Sequence, residues 1–144
     1  WSTCHGSAED YFLDVISSSR GDPKRAAIAL GNHGSVKKLC ALGIPIAAES
    51  LRNLGFDVSK PDRHVCRAVG SFELVRFKRW PDRTGTKAPA ANVSEMLETM
   101  TVVETIARLV DVRPTLVDTA IWLLCARMGL YLNNTQLASI MIGV

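Results

Sequence analysis

At 144 residues and 47% hydrophobic, the chain is long enough for one domain with a real core and too short for two independent ones. No apolar run reaches the roughly 18 residues of a membrane-spanning helix, so the chain reads as soluble, with no membrane partner. The net charge of +3 excludes little by itself, but eight basic residues against three acidic ones give the stretch from Lys60 to Lys87 a charge of +5, the kind of local excess that suits a phosphate backbone.

The chain begins at Trp1 and not at an initiator methionine, which leads us to expect a single domain over residues 1–144 that is truncated at its N-terminal side. Ser7 followed by Glu9 and Asp10 predicts a first helix, with Phe12, Val15 and Ile16 on its apolar face and Gly21 at its end. Asp22-Pro23 caps a second helix that runs to Gly31. Ser35 is expected to cap one or two helical turns from Val36 to Ala41. Leu42-Gly43-Ile44-Pro45 then makes a tight hairpin, and Pro45 restarts a helix. Ile46, Ala47, Ser50, Leu51 and Leu54 are its expected inner side, with Glu49 and Arg52 outward and Gly55 as the stop.

Pro61-Asp62 opens the next helix, with Asp62 as its N-cap and Val65, Cys66 and Val69 inward as far as Gly70. Phe72 to Trp80 fits strand and helix alike, and Pro81 to Asn92 is a polar loop. Thr101-x-x-Glu104 has the form of a capping box. Arg113-Pro114 starts what reads as the longest apolar helix, ending at Gly129, and Thr135 is the expected cap of a last short one. The predicted architecture is all-α, a compact set of seven or eight short helices around one core.

Cys4, Cys40, Cys66 and Cys125 are far apart, with no C-x-x-C pair, so we expect reduced core thiols in a cytoplasmic protein, nucleoid-associated if bacterial. Cys4-His5 lacks a second ligand pair, and no metal or other cofactor is expected. His5 and His33 read as surface residues.

The stretch from Leu39 to Ala68, LCALGIPIAAESLRNLGFDVSKPDRHVCRA, resembles the helix-hairpin-helix motif of the DNA glycosylase superfamily followed by its catalytic aspartate. Leu39, Ala41, Leu42, Gly43 and Ala47 fall on the hairpin and its second helix, and Asp62, His64 and Arg67 match the family's D-x-H-x-x-R. Ala41 stands where the family has the first hairpin glycine. The resemblance implies a base-excision repair enzyme that hydrolyses the N-glycosidic bond of a damaged or mismatched base in double-stranded DNA. Asp62 would be its catalytic carboxylate, and Leu42, Gly43, Ile44, Lys60, Arg63, His64 and Arg67 its DNA-binding residues.

Each residue also has a plainer reading. A glycine between helices, followed by free helix N–H groups, suits a phosphate, but the same corner serves packing alone. Asp62 is first of all an N-cap, His64 suits a structural hydrogen bond, and Arg67 suits packing as well as phosphate contact. Family members that also cut the strand carry a lysine on the second hairpin helix; the aligned residue here is Pro45, which implies an enzyme without lyase activity. Trp122 is read as a core aromatic, and the cysteines of the iron-sulfur cluster that some relatives carry are missing. A non-catalytic helix-hairpin-helix DNA-binding module is the main alternative, and an all-helical protein-interaction domain the third.

Overall fold

Helices start in this chain where a short polar side chain or a proline can serve the first turn. The computed structural model describes residues 6–128 and 133–142. Seven α-helices lie among them: α1 (Ala8–Ser18), α2 (Pro23–Gly31), α3 (Ile44–Asn53), α4 (Arg63–Ser71), α5 (Val93–Leu109), α6 (Pro114–Leu123) and α7 (Asn134–Ile142). Ser7 caps α1 through the Asp10 N–H, and Asp22 caps α2 through the Lys24 N–H. Pro23 and Pro114 sit at helix starts, where a missing N–H costs nothing. No strand occurs among the described residues, and none of their helices is long and apolar enough to cross a membrane. The fold class is all-α, as the sequence predicts.

Five elements differ from expectation. Val36 to Ala41 forms turns and no helix; Val36 is 98% exposed, so the segment has no apolar stripe to bury. On α3 the buried side chains are Ile44, Ala47, Ala48 and Leu51, while Ile46 and Leu54 face solvent. The start of α5 is Asn92 with Glu95, a reciprocal capping box nine residues before the expected Thr101, whose hydroxyl instead donates to Leu97 O inside the helix. At 17 residues α5 is also the longest helix; α6 stops at Leu123 and widens into a π turn over Leu124–Met128. Before α7, Asn133 and Gln136 cap one another through their side chains and backbone N–H groups, a role expected of Thr135.

Phe72 to Trp80 is neither strand nor helix. It is an irregular run that first turns back on the end of α4, with the N–H groups of Leu74 and Val75 donating to Val69 O, and it buries Val75 and Phe77 while Arg76, Lys78 and Arg79 are exposed. Of the cysteines, Cys66 and Cys125 are buried as expected, but Cys40 is exposed. Trp1, Cys4, His5 and Gly129 lie outside the described residues.

Two apolar clusters position the site. One joins α1, α2 and α3 through Tyr11, Val15, Ala27, Leu30, Ala47 and Leu51, with Met100 of α5 against it. The other joins α4 and α5 through Val65, Cys66, Val69 and Val103, with Val117 and Ile121 of α6 packed on it. Gly31 makes the first cluster tight: a Cβ there would lie 2.4 Å from both Cα and N of Ile44, so α2 and α3 meet backbone to backbone. The segment from Leu54 to Asp62 passes from one cluster to the other, and α6 lies across it.

Candidate active site

Asp62 gets its place from a cap. Its Oδ1 accepts the N–H groups of His64 (2.8 Å) and Val65 (3.1 Å), which fixes the carboxylate at the N-terminus of α4. Both bonds use the same oxygen, and Oδ2 makes no hydrogen bond among the described residues. The approach to Asp62 is equally well held, since Val58, Ser59 and Pro61 are buried.

Asp118 of α6 supplies the second anchor. It is 2% exposed, and its Oδ2 accepts from the Lys60 backbone N–H (2.8 Å) and from Arg52 Nη1 (2.7 Å). Burial pushes the Asp118 carboxyl above the ordinary carboxylate range; the Lys60 N–H and the Arg52 charge oppose this, while Asp62 and Glu49 add to it. Lys60 Nζ in turn pairs with Glu49 Oε2 at 2.9 Å. Glu49, Arg52, Lys60, Asp62, Asp118, Thr119 and Trp122 line one cavity of about 310 Å³. It draws on α3, the segment before α4, and α6, at the junction of the two apolar clusters.

The remaining residues singled out in the sequence divide by position. Arg63 is exposed beside Asp62, and its Nε–H donates to His64 Nε2 (3.2 Å). His64 stands edge-on to Trp122, with ring centroids 6.5 Å apart, and partial burial lowers its pKa despite the opposing pull of Asp62. Arg67 is only 5% exposed, and its Nε–H donates to Asn134 Oδ1, tying α4 to α7. This buried, hydrogen-bonded position suits the packing role that the sequence also allowed for it. Arg76, Lys78, Arg79, Arg83 and Lys87 are exposed.

In the segment expected to form the hairpin, Gly43 precedes α3 and no side chain caps that helix. Leu42 and Gly43 are partly exposed, whereas the Ile44 side chain is buried, so Ile44 has only its backbone to offer a ligand. Ala41 has φ +62°, the left-handed conformation that glycine adopts most easily. Lys38 Nζ donates to the carbonyls of Leu39 (2.9 Å) and Leu42 (2.6 Å), holding the turn from inside.

Compared with known proteins, the chain matches no family model, no curated protein and no solved structure. Among the described residues no group of three or more His, Cys, Asp or Glu side chains is arranged to hold a metal ion. The cavity offers three carboxylates, those of Asp62 and Asp118 held by backbone N–H groups and that of Glu49 paired with Lys60, together with a paired arginine, a threonine hydroxyl and an indole.

Sequence reasoning missed Asp118 and misassigned Trp122, which is 42% exposed and lines the cavity. The available signal was an aspartate inside the apolar run from Leu116 to Leu124, where an acid must have a partner to be tolerated. Glu49 and Arg52 were expected to face away from the α3 core. They do, and that direction is the cavity.

Proposed function

We propose that the chain is a base-excision DNA glycosylase that hydrolyses the N-glycosidic bond of a damaged or mismatched base and has no lyase activity. The observation that carries this reading is that Asp62 caps α4 through one oxygen and borders a cavity shared with Trp122. A base inside a duplex is out of reach of such a group, so the target nucleotide is flipped out toward the cavity. Trp122 offers an aromatic surface for the base, and the uncapped N-terminus of α3 with exposed Arg63 offers contacts to the backbone.

In the reaction the bond between C1′ and the base nitrogen breaks, and its electron pair leaves with the base, which takes up a proton from solvent unless the damaged base already carries a positive charge. Positive charge develops on the sugar, where the Asp62 carboxylate stabilises it. A water adds to C1′, its proton passing to Asp62 and on to solvent. Asp118 and Arg52 hold the segment that carries Asp62 and are positioning residues. Pro45 has no amine, so no residue on the hairpin helix start can form a covalent adduct with the sugar.

The test is incubation of the purified chain with duplexes carrying alkylated, deaminated or oxidised bases, scored for released base. Release from at least one duplex supports the proposal. Binding without release from any of them favours a non-catalytic DNA-binding module.

A further inference from the structure

At the far end of α4 from Asp62 lies a second cavity, of about 360 Å³, bordered by Gly70, Ser71, Arg76, Trp80, Arg83 and Thr135. We infer that it is a binding site for a phosphate group. The inference does not depend on Asp62 being catalytic.

Ser71 gives the first observation. It is 7% exposed, and its buried Oγ has no hydrogen-bond partner, although buried polar groups are almost always paired. A hydroxyl left in this state on the wall of a cavity is suited to a ligand oxygen. The second observation is charge. Arg76 and Arg83 both border the cavity, and among the described residues neither pairs with a carboxylate. Glu73 is the one acid on the rim, so positive charge prevails.

The wall that carries Arg83 is braced by contacts. Arg83 Cζ sits 5.7 Å from the centre of the Trp80 ring, in cation-π contact. Trp80 is itself pinned: its Nε1–H donates to Lys87 O (2.9 Å), Phe77 stands edge-on to it, and a Cβ on Gly70 would come within 2.6 Å of Cζ3. The Asn134 amide is already committed, accepting from Arg67 and donating to Asp82 O and Lys87 O, so it braces the rim and takes no part in binding. The residues that border the cavity carry two guanidinium groups, of Arg76 and Arg83, and two hydroxyls, of Ser71 and Thr135. That set suits a tetrahedral oxyanion better than a planar carboxylate, which a single guanidinium satisfies.

The phosphate belongs either to a DNA backbone or to a free phosphoryl compound, and two assays on the full chain separate these sources. Inorganic phosphate is titrated against thermal unfolding, where a ligand of the folded state raises the transition. A duplex is titrated at several salt concentrations. For Arg76→Ala/Arg83→Ala we expect phosphate affinity to fall about tenfold or more, the loss of charge-assisted hydrogen bonds. Ser71→Ala should unfold at an unchanged or higher temperature without phosphate, because its hydroxyl bonds to nothing in the protein, yet respond less to phosphate. A parallel fall in duplex affinity and salt slope assigns the phosphate to DNA; unchanged duplex binding beside lost phosphate binding assigns it to a free compound. If the double variant keeps wild-type responses to both phosphate and duplex, the site does not exist.

Discussion

The backbone N–H of Lys60 donates to Asp118 Oδ2 at 2.8 Å, so a residue of α6 holds the chain two positions before Asp62. The same oxygen takes Arg52 of α3 at 2.7 Å. One buried carboxylate thus joins three segments, and the cavity exists only where they meet.

Replacing Asp118 by Ala leaves the Lys60 N–H and Arg52 without their acceptor. The expected cost is about 1–3 kcal/mol, the range for unsatisfied buried groups. It stays below the cost of breaking a fully buried ion pair because the Arg52 side chain is 22% exposed. Chemical denaturation of Asp118→Ala beside Asp118→Asn checks this: Asn keeps an acceptor oxygen and should lose much less.

The raised pKa of Asp118 also sets a pH dependence. With its folded pKa above its unfolded value, the folded state binds more protons between the two. Its contribution to stability is fully present below the ordinary carboxylate pKa and is lost as pH rises through the folded value. Denaturation across the mildly acidic range should show this decline in the native chain and its disappearance in Asp118→Asn. An unchanged decline in the variant would assign it to another group.

Asp62 serves both as a cap and as the proposed catalytic group, and two substitutions separate the roles. Asparagine caps as well as aspartate, so Asp62→Asn should keep its stability while base release is abolished; Asp62→Ala should lose about 1 kcal/mol as well. Equal base release by Asp62→Asn and the native chain would end the catalytic assignment.

The local signals were legible in the sequence. Ser7, Asp22 and Asp62 cap the helices expected of them, because a cap is a contact over two or three residues. Long-range geometry was not. Nothing near Asp118 in the chain announces Lys60 or Arg52, and the inner face of α3 is set by its backbone contact with Gly31, which no periodicity records. Thr101-x-x-Glu104 matched the capping pattern as well as Asn92-x-x-Glu95 does. The second is the one used because Glu95 is buried, with its carboxylate taking the N–H groups of both Asn92 and Lys78.

Gly31→Ala tests the α2–α3 contact. Alanine in place of glycine favours a helix by about 1 kcal/mol. Here its Cβ would meet Ile44 backbone atoms at 2.4 Å, and backbone cannot turn aside as a side chain does. Overpacking of this kind costs about 1–3 kcal/mol or more, so the clash wins and the melting temperature should fall. A rise would show that the two helices separate easily.

Borohydride trapping tests the absence of lyase chemistry. Among the residues that line the Asp62 cavity, Lys60 carries the single amine, and it is paired with Glu49 at 2.9 Å. A charged, paired ammonium is a poor nucleophile. No covalent protein-DNA adduct should form on a damaged duplex; an adduct that vanishes in Lys60→Ala would identify the nucleophile.

Arg63 and Arg67 lie four residues apart on one helix, and the resemblance assigns both to DNA. Their environments separate them. Arg63 is exposed next to Asp62, whereas Arg67 is buried and bonded to Asn134, which in turn bonds to the carbonyls of Asp82 and Lys87. If Arg63 touches a phosphate, Arg63→Ala should weaken binding to all sequences alike and reduce the log-log salt slope by about 0.9, with stability unchanged. Arg67→Gln should do the reverse. Removing one end of a buried charge-assisted bond costs about 1–3 kcal/mol in stability, and the folded fraction should bind duplex with the native slope. Both quantities come from a salt titration and a denaturation curve on each variant. A slope lowered by Arg67→Gln and kept by Arg63→Ala would mean that α4 meets DNA through the face now turned inward, and the proposed arrangement of Asp62 toward the nucleotide would have to be abandoned with it.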